Sequence, residues 1–197
     1  MPIEYPRPPD GTEAIASEGI QRAGAAADRG RREAATAEPE RVLTRPHPVH
    51  NLGLDDLVKG ARLADAPRTA WRYLVEDGGE PVASAEVAVD GAGRPRAFDH
   101  LNEGPFVAGT AAAQAVAERL PALRGRRAEA RLVRIPALYV IALWLKGRRG
   151  SEDVVVPIAP APPFLEANRP YSEDEFLAAL REPSRERARF DNSPRAR

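Results

Sequence analysis

The sequence predicts an α+β domain with a four-stranded, mainly antiparallel sheet in β-β-α-β-β order and with helices covering the sheet. Three observations predict this fold. The run from Leu132 to Leu145 is apolar at every position from Ala137 onward, which indicates a strand buried on both faces. Two strand-like segments flank the turn sequence from Asp77 to Glu80. A helical stripe of apolar residues separates this hairpin from the buried run.

The hairpin is predicted over Trp71 to Glu76 and Val82 to Asp90. Gly78 and Gly79 can adopt the positive φ that a tight connection requires. On the second strand, small apolar residues alternate with Ser84 and Glu86, so one face of this strand is expected to be exposed to solvent.

The main helix is predicted to begin at Gly104-Pro105, because proline is tolerated in a first turn, and to end at Pro121. One long central strand ending near Leu145 is predicted next. A last strand, Val154 to Ile158, is predicted at a sheet edge, because its Pro157 cannot donate a ladder hydrogen bond.

A final helix, Glu173 to Arg181, has well-specified start signals. Ser172 and Glu175 have the spacing of a capping box, and Tyr171 and Phe176 have that of a hydrophobic staple. We therefore expect this helix to dock on the body. The domain organisation that follows is a long N-terminal arm at 1–50, extended and either partly helical or disordered, one α+β domain at 51–182, and a disordered tail at 183–197.

The composition argues against several classes of function. Acidic and basic residues balance at 29 each, so no long-range field directs the chain to a polyanion or an anionic membrane. The basic clusters Arg124 to Arg127 and Lys146 to Arg149 are predicted at opposite ends of one strand, so no nucleic-acid partner is expected.

The chain has no cysteine, which excludes disulfides and thiolate chemistry. No cofactor is expected, because the chain lacks the common nucleotide-binding motifs. No membrane contact is expected, because the apolar run is too short to span a bilayer. A cytoplasmic location is expected, because residues 1–14 lack a leader pattern.

His100, Asp99 and Glu103 are the candidate catalytic residues, since they precede the N-terminus of the main helix. Such a position suits acid–base chemistry or the binding of an anion. The alternative is structural: Asn102 and Glu103 satisfy helix-start donors, and His100 lies in a surface loop.

His47 and His50 are the candidate metal ligands, with Asp55 and Asp56 shortly after them. Prolines flank His47, so the histidines do not lie on a regular helix. The alternative is a rigid polar linker between the arm and the domain.

The buried strand also predicts a surface for interaction. One helix cannot cover both faces of such a strand. The second face, with Trp144, Leu138 and Val140, requires a terminal helix or another protein chain, and Ile15 and Ile20 are the apolar candidates on the arm. The leading hypothesis is thus a non-catalytic interaction module, such as an adaptor or assembly subunit, with a protein partner or a second copy. The alternative is a small-ligand-binding or enzymatic domain that uses the His100 loop.

Overall fold

One mixed sheet of nine strands organises the chain. The computed structural model describes residues 3–30, 41–121, 127–148 and 152–191. The strands are β1 (Ile3–Glu4), β2 (Val42–Asn51), β3 (Arg68–Asp77), β4 (Glu80–Val89), β5 (Pro95–Asn102), β6 (Ala128–Ile135), β7 (Val140–Gly147), β8 (Val154–Pro157) and β9 (Tyr171–Ser172). The helices are α1 (Thr12–Gly30), α2 (Leu54–Val58), α3 (Phe106–Arg119) and α4 (Glu173–Asp191). None of the helices within these ranges is long and apolar enough to cross a membrane.

The predicted four-stranded antiparallel sheet is wrong, although the chain is α+β. The strand order is β5-β4-β3-β2-β6-β7-β8-β9, and β1 also pairs with β6. Both β1 and β2 run parallel to β6, whereas the other pairs are antiparallel. The prediction lacked β1, β2, β5 and β9, and it treated β6 and β7 as one strand. Strands β2 and β6 lie in the middle of the sheet.

Strand β2 lies in the segment that the sequence assigns to an arm. Pro46 and Pro48 obscure it, because proline is rare in central strands. The strand tolerates them through an irregularity: Arg45 has a positive φ of 48°, and the register with β3 shifts between Thr44 and His47. Strand pairing on both sides therefore incorporates this part of residues 1–50 into the sheet.

The apolar run from Leu132 to Leu145 is two strands rather than one. A 3-10 turn, Pro136–Leu138, separates β6 from β7, and Tyr139 follows it in the left-handed conformation. The resulting hairpin pairs Ala128 with Gly147, so both of its outer ends lie at one end of the sheet.

The two basic segments are therefore not at opposite ends of a strand. Arg127 and Arg148 each lie 3.0 Å from a carboxylate oxygen of Glu4 on β1. Residues 124–126 and 149 lie outside the described residues.

The predicted hairpin between β3 and β4 is confirmed. Asp77 pairs with Glu80, and Gly78 and Gly79 have φ values of 58° and 87°. Two consecutive positive φ angles match the right-handed twist of the flanking strands, which is why two glycines suit this turn.

The start signals of α4 are also confirmed. Ser172 N donates to Glu175 Oε2 at 2.9 Å, and Glu175 N donates to Ser172 Oγ at 3.2 Å. Tyr171 and Phe176 are buried in the same cluster. The helix continues through Pro183 to Asp191, beyond its predicted end at Arg181. Residues 192–197 of the predicted tail lie outside the described residues.

Helices of this chain cover both faces of the β6–β7 hairpin. On one face, Ala113 and Ala117 of α3 pack on Leu132 and Leu143. On the other face, α2 and α4 contribute to a cluster with Trp144. Alternate residues of β7 belong to the two clusters, as the period of a strand requires.

Helix α1 covers the β3–β4 end of the sheet. Ile20 is buried there, and Ile15 packs at the margin of the same cluster. Gly19 permits close contact with β5, because a Cβ at this position would lie 2.0 Å from the Phe98 ring. The arm thus contributes a helical layer as well as two strands.

Candidate functional site

A β-bulge on the edge strand β5 brings two chemically active side chains together. Glu86 of β4 pairs with His100, and Val87 pairs with Phe98, so Asp99 is an extra residue in β5. In a regular strand, Asp99 and His100 would point to opposite faces. The bulge turns both toward each other, and His100 Nδ1 lies 3.1 Å from Asp99 Oδ2.

Glu86 completes a group of three potential ligands, which we call the Glu86 group: Glu86, Asp99 and His100. One ligand atom from each residue lies within 4.8 Å of the other two. The His100 Nε2 atom lies 3.8 Å from Glu86 Oε1. Within the described ranges, no other group of three or more His, Asp or Glu side chains meets this criterion.

Burial differs across the Glu86 group. The Glu86 side chain is only 3% exposed, whereas the His100 and Asp99 side chains are 42% and 53% exposed. A molecule from solvent can therefore reach His100 and Asp99 directly. Glu86 provides the fixed, desolvated end of the site.

Two arginines balance the buried carboxylate. Arg134 Nη2 lies 3.0 Å from Glu86 Oε2, and Arg72 Nε lies 3.8 Å from Glu86 Oε1. The Arg134 guanidinium reaches from β6 across the sheet, and its Nε also donates to Asn51 Oδ1 at 3.2 Å. The formal charges of Glu86, Asp99 and the two arginines sum to zero when His100 is neutral.

The charges around Glu86 balance, but not every polar atom there has a regular hydrogen bond. Arg134 Nη1 donates to Glu86 Oε1 at 3.3 Å. Glu86 Oε2 is ion-paired with Arg134 Nη2 at 3.0 Å but has no hydrogen bond of regular geometry, and Arg72 Nε has none either. Arg72 instead donates from Nη2 to Ser84 Oγ at 2.9 Å. Burial lowers the pKa of the Arg72 guanidinium, and the Glu86 charge opposes this shift. An unsatisfied buried polar atom in a native fold calls for an explanation, such as a ligand or an ion.

Glu103 does not belong to the Glu86 group. It is exposed in the turn between β5 and α3. Asn102, not Glu103, stabilises this turn, because its Oδ1 accepts a hydrogen bond from the Gly104 N–H at 2.6 Å. His100 and Asp99 thus come together on a strand, and not at the helix start where the sequence places them.

His47 and His50 do not come together. His47 is fully buried beside α3, where Gln114 Nε2 lies 2.9 Å from its Nε2. His50 Nδ1 donates to the Ala66 carbonyl at 2.9 Å, and its ring packs against Trp144 in the cluster that α4 covers. The two rings therefore lie in different layers of the fold and cannot share one metal ion.

Burial lowers the pKa of both histidines. For His47, the pKa falls to about 3, with neighbouring arginines adding to the effect of burial. Burial likewise lowers the pKa of His50. Both rings stay neutral at physiological pH and serve as packed, hydrogen-bonded parts of the core.

The apolar residues predicted to contact another chain lie inside this one. Trp144 is fully buried, and Leu138 and Val140 are 7% and 2% exposed. Trp144 Nε1 donates to Asp153 Oδ2 at 2.8 Å, so even its polar atom is paired internally. Helix α4 supplies the second covering layer, which was one of the solutions that the sequence left open.

Sequence reasoning missed Glu86 and Arg134 as site residues. Glu86 is predicted on a solvent-exposed face of the strand. It is buried instead, because Arg72 of β3, His100 of β5 and Arg134 of β6 surround its carboxylate. The available signal was the pair Ser84 and Glu86, polar residues two apart among small apolar ones. This spacing marks one face of a strand but not what lies opposite to it.

Comparison with known proteins provides no assignment. No protein-family model matches the chain, and no curated protein or solved structure is significantly similar to it.

Proposed function

We propose that this chain is a binding domain for a small cationic ligand, and that the Glu86 group is its binding site. The observation that carries the proposal is the bulge at Asp99, which directs a carboxylate and an imidazole toward a second, buried carboxylate. Bulges recur next to functional sites, where they re-aim side chains.

The chemistry of the group favours a cation. When they are ionised, the two carboxylates can only accept hydrogen bonds. A neutral imidazole offers one further lone pair. The exposed side consists of Asp99 and His100, whereas Arg72 lies at the buried end with a side chain 3% exposed. A ligand arriving from solvent thus meets the acceptors first.

Histidine-selective NMR of the full-length chain tests the proposal. The chain has three histidines, and His47 and His50 lie elsewhere in the fold, so they act as internal references. We would titrate with magnesium, calcium and zinc chlorides, spermidine and guanidinium. At least one cation should shift the His100 ring resonances selectively. Equal shifts of all three histidines, or none with any cation, would contradict the proposal.

Matched variants refine this test. Asp99→Ala removes an acceptor from the exposed side and should weaken binding of the active cation. Glu103→Gln removes a nearby exposed carboxylate that lies outside the group, and it should leave binding unchanged. If both variants weaken binding equally, general surface charge explains the effect and no defined site is needed.

Tyr139 favours a second function, protein–protein interaction with another protein or a second copy. Its side chain is 79% exposed, and its backbone has a φ of 56°. A bulky residue rarely adopts this conformation, and tyrosine is enriched at interfaces. The hairpin between β6 and β7 thus presents an exposed aromatic ring at its turn.

Sedimentation over a range of concentrations and affinity capture of the full-length chain test this second function. Tyr139→Ser should abolish an association that the wild-type chain forms. Val58→Ser is the control, because Val58 is 45% exposed on a different element. An association that survives Tyr139→Ser would exclude the hairpin tip as the contact.

A further inference from the structure

We infer that the cation bound by the Glu86 group is a divalent transition metal, with His100 Nε2 and a Glu86 oxygen as protein ligands and Asp99 orienting the imidazole. This inference rests on the proposed function and specifies its ligand. Imidazole and carboxylate together suit zinc and its first-row neighbours better than magnesium or calcium, which prefer oxygen alone.

The hydrogen bond between His100 and Asp99 fixes the ring for metal binding. An ionised carboxylate only accepts, so His100 Nδ1 carries the proton that it donates to Asp99 Oδ2 over 3.1 Å. In the neutral ring, Nε2 then presents its lone pair. Metal-binding histidines commonly donate their other ring N–H to a carboxylate in this way, which sets the tautomer and raises the basicity of the ligand atom.

The free lone pair of His100 faces another acceptor. Nε2 lies 3.8 Å from Glu86 Oε1, too far for a hydrogen bond, and Oε1 accepts from Arg134 Nη1 instead. Zinc bonds of about 2.0–2.1 Å to nitrogen and 2.0–2.2 Å to oxygen place two tetrahedral ligand atoms about 3.4 Å apart. A cation between these two atoms requires only a small movement of the half-exposed imidazole.

A second observation points to the same position. Glu86 Oε2 is buried without a hydrogen bond, although the Arg134 guanidinium balances its charge from 3.0 Å. Oε1 accepts from Arg134 Nη1 at 3.3 Å, whereas Oε2 keeps a lone pair that no regular hydrogen bond uses. Two protein ligands leave positions open for water or for a small molecule.

Arg134 is the internal competitor of the metal. Its positive charge occupies the same carboxylate, so metal binding must weaken the ion pair between β4 and β6. The Arg134 Nη1 and Nη2 atoms would leave Glu86, whereas Nε would keep its bond to Asn51 Oδ1. Arg134→Gln removes this competing charge and should therefore strengthen metal binding, whereas a purely structural cluster would only lose stability.

Calorimetric titration of the metal-free, full-length chain with zinc chloride tests the inference. We expect one zinc ion per chain. His100→Ala should weaken binding at least tenfold, and Arg134→Gln should tighten it by about tenfold. Asp99→Asn retains an acceptor for the Nδ1 proton and should cost less affinity than Asp99→Ala, because outer-sphere partners typically contribute 10–100-fold. Glu103→Gln is the matched control and should bind as wild type.

Thermal unfolding of each variant without metal shows whether it folds, and the His100 Nε2 resonance reports coordination directly. Zinc binding that is unchanged in His100→Ala, or weaker in a folded Arg134→Gln, would overturn the inference. If zinc does not bind but spermidine or guanidinium still shifts the His100 resonances, the metal assignment fails and the proposed function stands. If no cation shifts them, both fail.

Discussion

Gln114 donates a hydrogen bond to His47 in the core, with Gln114 Nε2 lying 2.9 Å from His47 Nε2. Arg45 fixes the orientation of the amide, because its Nη1 donates to Gln114 Oε1 at 2.9 Å and leaves the amide nitrogen facing the ring. The imidazole must therefore offer a lone pair at Nε2. This requirement agrees with the burial that lowers the pKa of His47 to about 3.

His47 should make the stability of the fold depend on pH. Above its ordinary pKa of 6.5, the ring is neutral in both states. Below 6.5, the unfolded chain binds a proton that the folded chain excludes until about pH 3, so stability falls as the pH falls through this window. The free energy of unfolding should decrease by up to about 1.4 kcal/mol per pH unit.

Denaturant unfolding at several pH values between 4 and 7 measures this slope. His47→Gln removes the titrating group and should flatten the slope, even though the variant is less stable at pH 7. An unchanged slope in His47→Gln would mean that other groups account for the pH dependence.

Gly109 should be required for the packing of α3. A Cβ at this position would lie 2.1 Å from the Ala159 carbonyl oxygen, which is a backbone atom and cannot rotate away. Gly109→Ala should therefore destabilise the fold by about 1–3 kcal/mol despite the better helix propensity of alanine. Gly24→Ala in α1 is the control, because a Cβ there meets nothing within 4 Å, and it should be neutral or stabilising. Thermal unfolding of both variants distinguishes steric conflict from propensity.

Tyr139→Gly should stabilise the hairpin relative to Tyr139→Ala. The φ of 56° at this position costs an L-residue about 1–2 kcal/mol, and glycine avoids that cost. Both variants lose the same exposed ring, so their difference in the free energy of unfolding isolates the backbone. Equal stability of the two variants would show that the turn relaxes to another conformation in solution.

Ser172→Ala should weaken the start of α4. The hydroxyl accepts the Glu175 N–H at 3.2 Å, and removal of such a cap costs about 0.5–2 kcal/mol. Glu175→Gln should cost less, since the amide oxygen can still accept the Ser172 N–H. Amide hydrogen exchange in the first turn of α4 measures the local effect, and unchanged protection in Ser172→Ala would exclude the cap as a determinant.

The sequence predicted the elements whose signals are local. The glycines at 78 and 79 define their turn, and Ser172 with Glu175 defines a helix start, because each signal depends on residues only a few positions apart. Strand β2, which contains Pro46 and Pro48, had no such signal. Its prolines argue against a central strand, and only pairing with β3 and β6 makes it one.

The candidate site shows the same division. The sequence determined that Asp99 and His100 are adjacent and carry the chemistry of a site. Only the tertiary structure decided that a bulge turns them to one face, that Glu86 lies opposite, and that Arg134 reaches it from β6. The physical reason is that side-chain direction within a strand follows from register, and register is set by partners far away in the chain.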